Sequence, residues 1–285
     1  MVGARAFIKK LGIRTDHSLH RMRQQLLKSL NPGDQPRIEY IWAMRDAGLS
    51  SGLEQYLIPQ NQRQAALLFA SDWPRMEASF DWFGQVVSRS AYDKIVDMGC
   101  GPGFLLRFLL DKFPGIKVQG IDVAENLVLI GQGLCDVPLI TGDYLTAETD
   151  DAYELIICNF GFDSPNFSPS SQPHSLAQCG AASYCPGCSD DLKVQLEAYT
   201  QSWRRWGTTK ASLAITGRIT DFGMLRAFAL AAQDAGWRLS VGESTVLQVK
   251  NLSGEVERFP ALLFRSSQEL KKDLFLEDLA KFYVA

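Results

Sequence analysis

Apolar positions along the chain change their period near residue 91. Before it they recur at helical spacing. In DHSLHRMRQQLLKSL, Leu19, Met22, Leu26, Leu27 and Leu30 share one face, and Thr15 or Asp16 is available as the cap. The breaker NPGDQP follows, then RIEYIWAMRDAGL predicts a second helix ending at Gly48 and QNQRQAALLFA a third. His17 and His20 are expected on the surface of the first of these helices. SDWPRMEASFDWFGQVV carries Trp73, Phe80, Trp82 and Phe83, and is expected to pack on the main domain rather than form a substrate-facing wall. From Tyr92 onward short apolar runs alternate with helical ones. KIVDM, KVQGID, VPLITGD, YELIICNF and ASLAITG read as strands; GFLLRFLLDKF, AENLVLIGQGL, SDDLKVQLEAYTQSWRRWG and DFGMLRAFALAAQDAGW read as helices. Leu192, Leu196, Tyr199, Trp203 and Trp206 keep helical spacing in the third of those helices. RLSVGESTVLQVK and EVERFPALLFRSS then form a strand pair joined through NLSG. The pattern predicts an α/β doubly wound seven-stranded sheet ending in an antiparallel hairpin, with its ligand crevice at the carboxyl ends of the strands.

Composition narrows the partners. The 285 residues are 46% hydrophobic and 21% charged, enough for one large core with a helical appendage. A net charge of −3 and a pI near 5.7 argue against a surface built for nucleic acid or anionic membrane, although Lys9, Lys10 and Arg14, or Arg204 and Arg205, offer local positive charge. No secretory h-region and no run of membrane-spanning length stands out, so a cytoplasmic chain with no membrane partner is expected. Residues 1–90 read as a helical N-terminal region, a lid or substrate platform, and residues 91–285 as the main domain.

The chemistry starts at DMGCGPG. A dinucleotide turn requires G-x-G-x-x-G/A, but Phe104 and Leu106 occupy the last position in the two registers, and Pro102 removes an N–H that a pyrophosphate would use. No Lys-Ser/Thr follows, so a P-loop fails as well. What remains is Asp97, Gly99, Gly101 and Gly103 around Cys100. VDMGCGPG resembles the first motif of the class I S-adenosylmethionine-dependent methyltransferases. That resemblance, over roughly Tyr92 to Ser266, implies a Rossmann-like fold and S-adenosylmethionine as cofactor. The cofactor has no phosphate but carries an ammonium, which suits Asp97 at the end of the first strand. Asp122 ends the second strand, where the family's carboxylate accepts the ribose hydroxyls; Val123 follows it. Asp143 ends the third strand, where the family's acidic residue reads the adenine amino group, and Tyr144 or Leu145 is placed to pack on the ring. Asn159, closing the fourth strand, completes the cofactor set.

The loop after that strand, residues 160–189, runs without helical or strand period and carries His174, Cys179, Cys185 and Cys188, the last two as CPGC. A C-x-x-C with a further Cys and His supplies four N or S ligands, so a structural zinc is the first expectation; redox-active thiols, or a zinc activating a substrate thiol, are the alternatives. The Asn-Pro-Pro-aromatic motif of amino-group methylases is absent. Asp163 and His174 are the candidate bases if the acceptor must lose a proton, against a turn role for Asp163 and metal ligation or a solvated loop for His174. The expected activity is methyl transfer to a small-molecule or peptide acceptor. The alternatives are an RNA- or protein-modifying methyltransferase gripping its substrate through the cysteine loop, and a binding protein without turnover. Oligomeric state is open.

Overall fold

In the computed structural model, which describes residues 3–47, 52–161, 184–219, 222–266 and 276–283, the helical spacing of the N-terminal region becomes a run of amphipathic helices. These are α1 (Ala4–Lys10), α2 (Leu19–Ser29), α3 (Asp34–Asp46), a single 3-10 turn (Leu53–Leu57), α4 (Gln62–Ala70) and α5 (Trp73–Ser90). The chain divides into two compact units interleaved in sequence.

The first unit takes residues 1–91, 99–143 and 248–257. Besides those helices it contains the glycine turn, α6 (Phe104–Lys112), strand β2 (Lys117–Asp122), α7 (Glu125–Cys135) and β3 (Leu139–Thr141). Strands β2 and β3 pair in parallel with Asp122 opposite Thr141. Leu26, Leu30, Ile38, Ile41, Trp42, Ile58 and Leu68 close one core among α2, α3 and α4. On α5, Trp73, Phe80, Trp82 and Phe83 are all buried; Phe80 stacks on Phe108 at 5.5 Å, and Phe7 meets both rings. The cap of α2 is Ser18, three residues beyond Thr15. Its extended backbone lets the hydroxyl accept from Arg21 N–H, whereas the Asp16 carboxylate is taken by Arg14. His17 therefore precedes the helix rather than riding on it, and is 7% exposed, while His20 is exposed as expected.

The second unit takes residues 92–98, 144–247 and 258–285. Strands β1 (Lys94–Met98), β4 (Tyr153–Asn159) and β5 (Gly207–Thr216) run parallel in that order, and β8 (Val256–Ser266) is antiparallel to β5 and to β6 (Trp237–Leu239). Helices α8 (Pro186–Trp206) and α9 (Phe222–Asp234) belong to the same unit. Leu192, Leu196, Trp203 and Trp206 form the buried face of α8. Thr200 Oγ1 on α8 donates to Ala231 O on α9, and Trp237 Nε1 on β6 donates to Thr200 O. The single run RLSVGESTVLQVK is two strands, β6 and β7 (Thr245–Lys250), so the described residues form eight strands rather than seven. Ser240 makes the break: its carbonyl accepts from Glu243 and Ser244 N–H, and its hydroxyl donates to Glu243. Strand β7 then pairs with β8. A short C-terminal helix, α10 (Leu276–Ala280), follows. No helix among the described residues is long and apolar enough to cross a membrane.

Candidate functional site

The glycine turn after β1 follows from its backbone. Gly99, Gly101 and Gly103 have φ of +79°, +53° and +71°, a region that costs an L-residue about 1–2 kcal/mol. Space is tight as well. A Cβ on Gly101 would stand 3.2 Å from Phe69 Cζ, and one on Gly103 would stand 3.2 Å from two carbons of Leu139. The turn is tied to the end of β2: Gly99 and Cys100 N–H both donate to Ile121 O, at 2.8 and 3.1 Å. Cys100 points inward, its Sγ 2.6 Å from where a Cβ on Gly120 would be, so the pair Cys100–Gly120 is a packing match within the unit.

Asp122 organises the strand end. Its Oδ2 accepts from Gly101 N–H at 2.7 Å, its Oδ1 from Ala124 N–H at 2.8 Å, and its carbonyl from Gly142 N–H at 2.9 Å. Burial pushes the carboxyl pKa upward, opposed by the N–H groups of Ala124 and Gly101. Two acceptor oxygens with about four lone-pair sites retain capacity beyond these two bonds, which is what a diol requires. Val123 beside it is 65% exposed, an apolar side chain open to a ligand ring. Asp143, after β3, is exposed.

In the second unit, Asp97 lies at the end of β1 opposite Ile157 and is 1% exposed. Asn159 ends β4, where its Oδ1 accepts from Thr216 Oγ1 at 3.0 Å. The next residue, Phe160, has φ of +56° and is held by donating its N–H to Thr216 O and by an edge contact with Phe259. Tyr144 turns its ring onto Tyr199 and Trp203 of α8, and its carbonyl accepts from Ser202 Oγ. The carbonyl of Leu145 accepts from Arg205.

Asp163, His174 and Cys179 lie outside the described residues. Cys185 is the N-cap of α8 and its Sγ accepts from Cys188 N–H at 3.5 Å; Cys188 is 1% exposed, on the face that carries Leu192 and Leu196. Among the described residues no group of three or more His, Cys, Asp and Glu is gathered to hold a metal. Phe69, Tyr56 and Asn126, which meet the glycine turn or the helix after Asp122, carry no motif, and no local signal in the sequence marks them.

Gly101, the Asp122 carboxylate and the exposed Val123 thus lie together at the end of β2. Parallel strands alternating with helices, a glycine turn after β1 and an antiparallel pairing at β8 make a Rossmann-like α/β fold. The comparisons agree. Residues 95–181 match the family described as methyltransferase domain. The malonyl-(acyl-carrier protein) O-methyltransferase of Acetivibrio thermocellus is 33% identical over 78 residues, 26% of this chain and 27% of that one. The same enzyme of Anoxybacillus flavithermus is 34% identical over 71 residues, 24% and 27%. The matched stretch thus spans about a quarter of the length of these curated relatives. The N-methyltransferase NodS of Bradyrhizobium japonicum, solved with S-adenosylhomocysteine, shares the fold with a TM-score of 0.52 at 11% identity, over 76% of this chain and 97% of that one. Residues 95–181 thus match a methyltransferase domain, and the chain is similar to the class I S-adenosylmethionine-dependent methyltransferases.

Proposed function

We propose that the protein transfers a methyl group from S-adenosylmethionine to a small-molecule or peptide acceptor, with residues 1–90 acting as lid or substrate platform. The observation that carries this reading is the Asp122 carboxylate, joined to Gly101 N–H in a turn whose three glycines have positive φ. When bound, the cofactor supplies a methyl on a positively charged sulfur, already activated for in-line displacement. Much of the rate then comes from holding the acceptor in line with the methyl, so the chain's task is positioning. Asp122 would hold the ribose hydroxyls and Val123 one face of the adenine, and the family resemblance assigns the ammonium to Asp97. Asn159, whose Oδ1 accepts from Thr216 at the end of β4, would complete the cofactor set. The names of the curated relatives favour a malonyl group on an acyl-carrier protein, methylated at oxygen, as the acceptor. Calorimetry with S-adenosylhomocysteine is the first test: the wild type binds it and Asp122→Ala does not. Unchanged affinity in Asp122→Ala would overturn the assignment. Mass spectrometry of malonyl-loaded carrier protein incubated with enzyme and cofactor then tests the acceptor class by a gain of one methyl group.

A further inference from the structure

We propose that Phe69 is a cofactor-contacting residue whose ring is offered to the sulfonium cation, and that Asn126 is the positioning residue that holds it there. This inference rests on the class I reading given above. Phe69 lies at the end of α4, more than thirty positions before Gly101, yet its Cζ and Cε1 are 3.2 and 3.9 Å from where a Cβ on Gly101 would stand. Tyr56 packs against it at 5.7 Å between ring centroids, and Phe104 meets it edge-on at 5.6 Å. These rings support Phe69 without enclosing it, since it stays half-buried where the neighbouring Leu68 and Ala70 are buried.

The ring's position is set from α7. Asn126, in the first turn of that helix, donates from Nδ2 to Tyr56 O at 2.9 Å and to Pro59 O at 2.8 Å. An amide nitrogen has two hydrogens, so both are used on the one stretch of chain that leads into α4. Ala65 of α4 packs against Ala124 and Leu127, with Tyr56, Phe69 and Ile130 around them. Phe69 is thereby indexed to the same strand end that carries Asp122, whose carboxylate holds Gly101 N–H.

The chemistry follows from that placement. In S-adenosylmethionine the charged sulfur is one methylene beyond the ribose that Asp122 would hold, so an aromatic ring at Gly101 meets the part of the site where that charge belongs. A cation is attracted to the negative face of an aromatic ring, and the attraction grows when water is excluded. After transfer, the carbon–sulfur bond has broken, its electron pair has stayed on sulfur and the product is a neutral thioether. Phe69 therefore favours the cofactor over its demethylated product, which eases product release.

The test is calorimetry on the full chain, with S-adenosylmethionine and S-adenosylhomocysteine titrated separately into wild type, Phe69→Leu, Phe69→Tyr and Asn126→Asp. Phe69→Leu is expected to lose about 5- to 30-fold in affinity for the sulfonium compound, with far less change for the thioether. Phe69→Tyr keeps the preference. Asn126→Asp, which keeps the shape but turns a carboxylate on two carbonyls, loses it. An equal fall for both ligands in Phe69→Leu, or no fall, overturns the inference while leaving the cofactor assignment standing. A wild type that binds neither ligand overturns both. If Phe69→Leu does not fold, stepwise fluorination of the ring at position 69 gives the same readout without changing its shape appreciably. The sulfonium affinity then declines with each fluorine, and a flat series counts against the proposal.

Discussion

Gly131 and Gly133 stand in the same helix, α7, and replacing each by alanine separates helix propensity from packing under the glycine turn. Propensity alone treats the two alike, because alanine is favoured over glycine in a helix interior by about 1 kcal/mol. At Gly133 a Cβ meets nothing within 4 Å, so Gly133→Ala is expected to be more stable than wild type by about 0.5–1 kcal/mol. At Gly131 the same atom falls 2.4 Å from Leu139 Cδ1, 2.7 Å from the carbonyl oxygen of Pro102 and 2.9 Å from its carbon. Leu139 can change rotamer, but the Pro102 carbonyl belongs to the glycine turn and moves only if the turn moves. Overpacking of this kind costs about 1–3 kcal/mol, so the net effect of Gly131→Ala runs from neutral to a loss of about 2 kcal/mol. Equilibrium urea unfolding at unchanged m-value measures the two shifts, and calorimetry with S-adenosylhomocysteine measures the turn. Gly133→Ala should bind as wild type does; Gly131→Ala should bind more weakly, because the displaced turn carries Gly101 and its bond to Asp122. A Gly131→Ala protein as stable as Gly133→Ala, with unchanged affinity, would refute the claim that α7 supports the turn by backbone contact.

Two further predictions concern pH. Tyr153, buried on β4 between Trp206 and Lys94, has its pKa pushed up to about 12 by burial and the Asp151 carboxylate. The folded state keeps this proton at pH values where the unfolded chain loses it, so stability falls as pH rises from 10.0 toward about 12, and Tyr153→Phe should flatten that fall in urea midpoints taken across the range. Asp122 is raised by burial, so its stabilising contribution from protonation is present below the ordinary value of 3.8 and lost as pH rises through the raised one; at neutral pH the ionised group works against folding. Cofactor affinity should accordingly decline, as pH is lowered, earlier than an ordinary aspartate predicts, a trend that calorimetry over a pH series would detect and whose absence would contradict the assigned burial.

Local order is legible in the chain because it is written in short-range terms. Period-two and period-3.6 apolar spacing, with glycine and proline as punctuation, delimits β1, α6, β2, β4 and α9 to within a few residues. The glycine spacing marks the turn, since positive φ is a local demand that only glycine meets without strain. Ends and faces are less legible. The cap of α2 moved from Thr15 or Asp16 to Ser18 because Arg14 engages Asp16. The last run of apolar residues split into β6 and β7 because Ser240 closes a turn inside it.

By itself, then, the sequence determined the alternation of strands and helices, the glycine turn and the acidic residues at or near the ends of β1, β2 and β3. These depend on residues a few positions apart, which one stretch of chain contains. Tertiary structure decided where the side chains went. It buried His17, drew the ring of Tyr144 onto α8, set Gly131 against the Pro102 carbonyl while leaving Gly133 in open space, and brought Phe69 to Gly101 through Asn126. The last contacts join segments distant in sequence, and hydrophobic periodicity says which face is buried without saying what buries it.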